Sequence, residues 1–327
     1  MSAIKNIGIL TSGGDSPGMN AAIRAVVRAS LYHNLKVTGV LRGYEGLIQA
    51  DFIPMDGKSV ANIIQRGGTI LKTARCDAFR TKEGRELAHK NLVESDIDAL
   101  VVIGGDGTFT GADFFSKEFN FPIIGLPGTI DNDLVGTDFA IGYDTAINTV
   151  VNAVDKIRDT AESHDRLFIV EVMGRDSGLI ALRSGIGVGA EAILIPEAKV
   201  GIPELIYRLE TGRKDKASKI IILAEGDEAG GAYIVGEALK EKFPKSDIRI
   251  SVLGHIQRGG KPSCMDRVLA SRLGVAAVEG LLDGKTDVMV GQVNKEIVFT
   301  PFSQTIKHID AVKITPAWLR LVEILSM

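Results

Sequence analysis

Between Ala99 and Asp133 the chain passes twice from a short apolar, β-branched run into a glycine-rich turn, first in ALVVIGGDGTFTGA and then in FPIIGLPGTIDND. Leu100–Ile103 and Pro122–Leu126 have the composition of strands covered on both faces, as in a parallel sheet with helices on its two sides. Strand, glycine turn, helix units in one parallel sheet would place their anion cradles along the same carboxyl edge, where doubly wound folds bind ligands. After the first run, Gly104, Gly105 and Gly107 leave backbone amides open to an anion, and Asp106 offers an oxygen to a phosphate-bound Mg²⁺. Thr108 and Gly111 then open a helix, whose N-terminus favours phosphate. After the second run, Thr129, Asp131 and Asp133 add a hydroxyl and two carboxylates beside the expected position of a triphosphate, and a hydroxyl nucleophile needs such a base. Either segment alone is equally compatible with an ordinary strand-to-helix turn or a solvated acidic loop. Both together, about twenty residues apart, favour phosphoryl transfer.

A chain of 327 residues exceeds one ordinary core, so two domains are expected. A net charge of -3 gives no basic field for nucleic acid and leaves anion binding to local Arg and Lys clusters. Cys76 and Cys264 lie far apart, outside any metal-ligand spacing, and no apolar run has the length of a signal or membrane segment. The expected compartment is the reducing cytoplasm, with no membrane partner.

Along the chain, Ile7–Thr11 reads as a strand, Ser12–Gly18 as a glycine-rich turn, and Met19 to about His33 as a helix with Ile23, Val26, Val27 and Leu31 inward. Arg24 and Arg28 share one face of it, which a solvated surface would explain equally well. Val37–Leu41 is a strand, followed by Tyr44, an aromatic surface near the sheet edge or a packing residue. Arg75, in QRGGTILKTARC, is suited to holding phosphate charge, although a loop arginine is commonly just solvated. From a cap at Asp144 or Thr145, a helix to Arg158 carries Ile147, Val150, Val151, Val154 and Ile157 as a core stripe. Leu167–Val172 is a strand leading to MGRDSG. Ile193–Ile195 and Pro203 to about Leu209 form a further βα unit, followed by the basic loop GRKDKASK. Ile220–Ala224 is a strand ending at Glu225, which points into the ligand crevice of a parallel sheet. Ile250–Leu253 leads to GHIQRGG, where Arg249, His255 and Arg258 provide three donors within ten residues. Pro262–Asp283 reads as a helix on Val268, Leu269, Leu273, Ala276, Ala277 and Leu281, ended by Gly284, before a strand near Val298 and a terminal helix.

GGDGT followed by PGTIDND, with LTSGGDSPGMNAAIR, RGGT, TAR, MGR, VLGHIQRGG and DRVLASRLG, resembles the ATP-dependent 6-phosphofructokinases of bacterial type over nearly the whole chain. The resemblance implies an α/β protein of two doubly wound, Rossmann-like three-layer domains with the active site in the cleft between them. Residues 1–141 plus 255–303 would take the nucleotide, and 142–254 plus 304–327 the sugar phosphate. It implies phosphorylation of fructose 6-phosphate at the 1-hydroxyl, with Asp131 as base, Thr129 beside it, Arg175 steadying the transferring phosphoryl group and Asp106 holding Mg²⁺. ATP would be contacted by Gly14, Tyr44, Arg75, Cys76, Gly105, Asp106, Gly107, Thr108 and Gly111. Fructose 6-phosphate would be contacted by Thr129, Asp131, Asp133, Met173, Gly174, Arg175, Glu225, His255 and Arg258. Arg166 and Arg249 would reach its phosphate from a neighbouring subunit of a homotetramer. An effector site for ADP or phosphoenolpyruvate would use Arg24, Arg28, Arg158, Gly189, Glu191, Lys214 and Lys216. One arginine of that site stands here as Gly57, beside Lys58, which implies a weaker effector response.

Three other readings compete. NAD and lipid kinases share GGDGT but lack the PGTIDND and GHIQRGG pairing. A non-catalytic sensor would be expected to have lost its base or its phosphoryl-stabilising arginine, and Asp131 and Arg175 are both present. Pyrophosphate-using members of the family have GGDD and PKTIDND, whereas Gly107 and Gly128 stand here, so ATP is the expected donor. Leu179 and Lys261 depart from the family pattern at positions with no assigned role.

Overall fold

In the computed structural model the protein is described over residues 4–164, 166–198, 201–211, 218–306 and 314–325. The chain divides into two compact units, residues 1–145 with 258–311, and residues 146–257 with 312–327.

The first unit begins with β1 (Asn6–Thr11), α1 (Met19–Tyr32), β2 (Lys36–Val40), α2 (Tyr44–Gln49), β3 (Phe52–Met55) and α3 (Lys82–Glu94). β4 (Ala99–Gly104), α4 (Asp106–Phe119) and β5 (Ile123–Pro127) follow, and α5 (Tyr143–Glu162) leads onward. The second unit contains β6 (Leu167–Val172), α6 (Leu179–Gly187), β7 (Ala192–Leu194), α7 (Ile202–Thr211), β8 (Lys219–Ala224), α8 (Ala232–Lys242) and β9 (Ile248–Val252). α9 (Cys264–Leu282), β10 (Val288–Val293), β11 (Glu296–Pro301) and α10 (Phe302–Thr305) return to the first unit, and α11 (Pro316–Leu325) belongs to the second.

The first sheet has the order β11-β10-β5-β4-β1-β2-β3, parallel except for the antiparallel edge strands β3 and β11. Its strands alternate between two cores. Ile7, Ile9, Val101 and Ile103 pack with α1 and α9, while Leu10, Leu100 and Val102 pack with Phe109 and Phe115 of α4. Burial on both faces is why these runs are uniformly apolar. The register pairs Thr11 with Ile103 and Gly104 with Pro127, so the turns after β1, β4 and β5 leave one edge of the sheet. The chain winds outward from β1 through β2 and β3, then returns to β4 on the other side. The turns after β1 and β4 therefore flank the switch point where doubly wound sheets bind ligands.

The second sheet, β7-β8-β6-β9, is wholly parallel. Val172 pairs with Ala224 and Glu171 with Val252, so the segments after β6, β8 and β9 again share an edge. Leu167, Ile169, Ile221 and Leu223 bury one face against Leu205 and Leu209 of α7 and Val235 and Leu239 of α8.

Several local expectations are corrected. α2, β3, α3, α6, α8 and β10 have no counterpart in the sequence reading; α3, for example, buries only Arg85, Ala88 and Leu92, too thin a stripe to stand out. α9 starts at Cys264 rather than Pro262, because the Ser263 hydroxyl accepts from the Asp266 N–H at 3.1 Å. Val268 is 54% exposed rather than core, since α9 turns Leu269, Leu273 and Ala277 inward. Leu31 of α1 is likewise exposed. α5 begins at Tyr143, ahead of the expected cap at Asp144 or Thr145, and Asp266 of α9 accepts from the Gly142 and Thr145 N–H groups.

Candidate active site

Three turns meet at the edge of the first sheet. The Ser12 N–H donates to the Ile103 carbonyl and the Gly128 N–H to the Gly104 carbonyl, both at 2.9 Å, so the ladder continues one step past the strands. A Cβ on Gly104 would lie 2.2 Å from Thr108 Oγ1 and 2.6 Å from the Ser12 carbonyl oxygen, which makes glycine obligatory there. A Cβ on Gly105 would lie 3.5 Å from Thr129 Cβ, so the GGDGT and PGTIDND turns are in contact range. Gly107 is exposed, and a Cβ there would meet nothing within 4 Å. Thr108 Oγ1 is buried without a hydrogen-bond partner among the described residues. Asp131 is 7% exposed, Thr129 and Asp133 are also buried, and the Asp131 N–H donates to Thr129 Oγ1 at 3.2 Å.

The first turn is bounded by Arg258. A Cβ on Gly14 would fall 2.5 Å from Arg258 Nη1, which donates to the Asp15 carbonyl at 3.4 Å. Tyr44, read from the sequence as either an aromatic surface near the sheet edge or a packing residue, is buried beneath the second turn. Its ring stacks on Phe79 at 4.0 Å between centroids, and its hydroxyl donates to the Thr108 carbonyl at 2.5 Å. Burial pushes that phenol far above its ordinary range. Gly111 permits the packing, since a Cβ there would be 3.0 Å from Tyr44 Cε2. Arg75 is exposed, and Cys76 is half-buried, with its thiol pushed up to about 11 by burial and then by Glu45.

In the second unit, Arg175 lies just past β6 with φ 58°, after Gly174 with φ 146°. Glu225, just past β8, accepts from the Arg175 N–H at 2.8 Å and from the Gly174 N–H at 3.4 Å. The Met173 N–H donates to Oε1 of the buried Gln257 at 3.2 Å. Arg166 Nε lies 2.6 Å from Asp247 Oδ2, and Arg249 Nε 2.9 Å from Asp247 Oδ1, so one carboxylate holds both arginines. The Arg166 hydrogen bond, with a lesser contribution from Arg249, keeps the Asp247 carboxyl below its ordinary range. His255 is exposed.

Residues 6–281 match the phosphofructokinase family. The chain belongs to that family. It is 55% identical to ATP-dependent 6-phosphofructokinase 2 of Bacteroides thetaiotaomicron over 314 residues, 96% of each chain. It is 56% identical to the ATP-dependent 6-phosphofructokinase of Cytophaga hutchinsonii over 304 residues, 93% of each chain. Its fold matches the structure of phosphofructokinase from Saccharomyces cerevisiae with a TM-score of 0.86 and 38% identity, over 98% of this chain but only 47% of the longer yeast chain. The phosphofructokinases are phosphotransferases, which agrees with glycine turns at the carboxyl edge of a parallel sheet.

The positions expected for an effector are distributed over both units of this phosphofructokinase. Arg24 and Arg28 lie one turn apart on α1. Arg158 donates to the Val188 carbonyl at 2.5 Å, next to Gly189 with φ 60°. Glu191 accepts from the Ile220 N–H. Gly57 is exposed, with open space where a side chain would stand. Lys214 and Lys216 fall outside the described residues.

The donors present suit Mg²⁺ held through a nucleotide. No group of three or more His, Cys, Asp or Glu side chains able to hold a metal occurs among the described residues. Asp106 stands at the start of α4 beside the open Gly107 and the buried Thr108 hydroxyl, a donor set compatible with a cation whose other ligands are phosphate oxygens. No helix among the described residues is long and apolar enough to cross a membrane. Three polar residues had no role assigned from the sequence, although Asn132 and Asp266 stand within the PGTIDND and DRVLASRLG motifs: Asn132, Asp247 and Asp266. The asparagine's signal was its place between two carboxylates in a tight turn, and that of Asp247 its alternation with Arg249 entering a strand.

Proposed function

We propose that this phosphofructokinase family member transfers the γ-phosphoryl group of ATP to the 1-hydroxyl of fructose 6-phosphate, the glycolytic step for which its bacterial relatives are named. The observation that carries the reading is the contact between the glycine turn at Gly105 and the turn bearing the buried Asp131. A carboxylate withdrawn from water beside an anion cradle is suited to take a proton from a hydroxyl as that oxygen attacks phosphorus. Gly14, Gly105, Gly107, Thr108 and Gly111 are assigned to ATP, together with Arg75 and Cys76, and Tyr44 supports the turn from below. Asp106 would hold Mg²⁺, which when bound neutralises charge on the phosphate oxygens. Thr129 and Asp133 flank the base, and Arg175 supplies positive charge to the transferring group.

The first unit is assigned to the nucleotide and the second largely to the sugar phosphate. Met173, Gly174, Glu225, His255 and Arg258 are assigned to the sugar phosphate, and Arg166 and Arg249 to a neighbouring subunit's site in a homotetramer. ADP or phosphoenolpyruvate is the expected effector, at Arg24, Arg28, Arg158, Gly189, Glu191, Lys214 and Lys216. The cytoplasm is the expected compartment. The open space at Gly107 supports ATP as donor. At Gly128, however, a Cβ would meet Ile103 and Met19 at 3.0 and 3.1 Å, so that glycine serves packing rather than clearance for a ligand.

The test is a coupled assay of the purified protein with Mg²⁺, fructose 6-phosphate and either ATP or pyrophosphate. Turnover with ATP alone is expected. No turnover with ATP would refute the reading.

A further inference from the structure

The loop that carries Asp131 is tied to a second segment, residues 138–145, and that segment is itself held from several sides. The Ile141 N–H donates to the Pro127 carbonyl at 2.8 Å, and Gly128 pairs with Ile141 as an isolated parallel bridge. Asp138 donates its N–H to the Gln292 carbonyl and accepts from the Asn294 N–H, both at 2.8 Å, which fixes the start of the segment to β10. At its end, Asp266 accepts from the Gly142 N–H at 2.9 Å and from the N–H and hydroxyl of Thr145 at 2.8 and 2.5 Å. Asp266 is 1% exposed, and Ser263 closes the clamp by donating its N–H to Thr145 Oγ1 at 2.9 Å. A Cβ on Gly142 would lie 2.6 Å from Ser16 Cβ, so the same segment also abuts the turn after β1.

Asn132 is the side chain that joins the Asp131 loop to this anchored segment. Its Oδ1 accepts from the Ala140 N–H at 2.6 Å and its Nδ2 donates to the Asp138 carbonyl at 3.1 Å. Its backbone is left-handed, φ 54°, a conformation that asparagine tolerates and β-branched residues do not. Asparagine thus meets two demands at once: the turn's backbone, and a clasp needing one acceptor and one donor on the same short side chain. Glycine would meet only the first. Aspartate would lose the donor and add a third carboxylate to a loop that already buries Asp131 and Asp133.

We infer that Asn132 is a positioning residue for Asp131: its two hydrogen bonds fix the base relative to the Gly105 turn through the segment that Asp266 anchors. The inference rests on the assignment of Asp131 as base. A displacement of about 1 Å at a reacting group costs roughly 100-fold in rate. Loss of the clasp is therefore expected to reduce kcat while leaving the binding of both substrates intact.

The experiment uses the full chain with ATP, fructose 6-phosphate and Mg²⁺, comparing Asn132→Gly, Asp131→Asn and the double variant. Asn132→Gly, which keeps the backbone unstrained, should lower kcat roughly 10-fold to 100-fold with both KM values within about twofold. In the Asp131→Asn background it should lower kcat no further, because a clasp that acts through the base has nothing left to orient. An unchanged kcat, a rise in KM alone, or an equal loss in both backgrounds would overturn the inference. Full turnover by Asp131→Asn alone would instead remove the base assignment, and the inference with it. Asn132→Asp, which tolerates the same backbone and keeps the acceptor for Ala140, is the second variant should Asn132→Gly not fold. It must show the same fall in kcat at unchanged KM; wild-type kcat in Asn132→Asp would overturn the inference.

Discussion

Glu225 Oε1 accepts a hydrogen bond from the Arg175 N–H at 2.8 Å, and this bond braces an arginine whose backbone is left-handed. A left-handed conformation costs a non-glycine residue about 1–2 kcal/mol, so it persists where its surroundings hold it. Gly226 completes the brace, since a Cβ there would lie 1.9 Å from the Arg175 carbonyl oxygen.

Glu225 therefore has a structural task separable from any contact with a sugar hydroxyl. Glu225→Gln keeps an acceptor for the Arg175 N–H and should change kcat by less than about threefold. Glu225→Ala releases the turn and should lower kcat roughly 10-fold or more. Steady-state kinetics on both variants separate the brace from a sugar contact, whose loss would appear as a raised KM for fructose 6-phosphate in Glu225→Gln.

For the base, Asp131→Ser should retain the far-ultraviolet dichroism of the wild type. Its turnover should fall roughly 10²-fold to 10⁴-fold, about 3–5 kcal/mol of barrier. Near-normal turnover would withdraw the assignment.

The donor is read out at Gly107. Because a Cβ there would meet nothing within 4 Å, Gly107→Asp should fold normally. Its carboxylate would oppose phosphate charge, so ATP turnover should be lost. Gly128→Lys, by contrast, should lower the melting temperature, because its side chain starts against Ile103 and Met19. Wild-type turnover with pyrophosphate as well as ATP would defeat the argument from space at Gly107.

Arg85 reaches Glu118 through Nε and Nη2 at 2.6 and 2.7 Å, and its Nη1 donates to the Phe79 and Arg80 carbonyls at 3.1 and 2.8 Å. The Arg85 hydrogen bond holds the Glu118 carboxyl below its ordinary value of 4.5. A depressed acid contributes stability above its unfolded pKa and loses it as pH falls through the folded value. Glu118→Gln should therefore be less stable than wild type at pH 7, by about 1–2 kcal/mol. The gap should shrink as the pH is lowered below 4.5. Urea titrations at several pH values measure it, and a gap independent of pH would show that the ion pair contributes nothing.

Arg166 and Arg249 share Asp247 within one chain. If they serve a neighbouring subunit's substrate phosphate, mixing Asp131→Ser with Arg249→Ala under conditions of subunit exchange should recover activity that neither variant has alone. Hybrids without activity would place each complete site in a single chain.

The sequence by itself located the strands buried on both faces and the glycine turns that end them, but not β3 or β10. Ala99–Gly104 and Ile123–Pro127 are buried on both faces, and that leaves an unbroken apolar run that ends abruptly at glycine and aspartate. Local pattern sufficed because each signal lies within one βα unit. What only the tertiary structure decided were the partnerships across the chain. Asp266 reaches Gly142 over a separation of 124 residues, and Arg166 reaches Asp247 over 81. Tyr44 became a brace rather than a surface because α4 and Phe79 close over its ring, and Val268 fell on the outside of α9 because Leu269 and Leu273 meet α1. A periodic stripe records that one helix face is buried but not where its edges fall, and a polar side chain in a turn carries no mark of its partner. Both are settled by the close packing of elements distant in sequence, where a buried donor or acceptor must find its match.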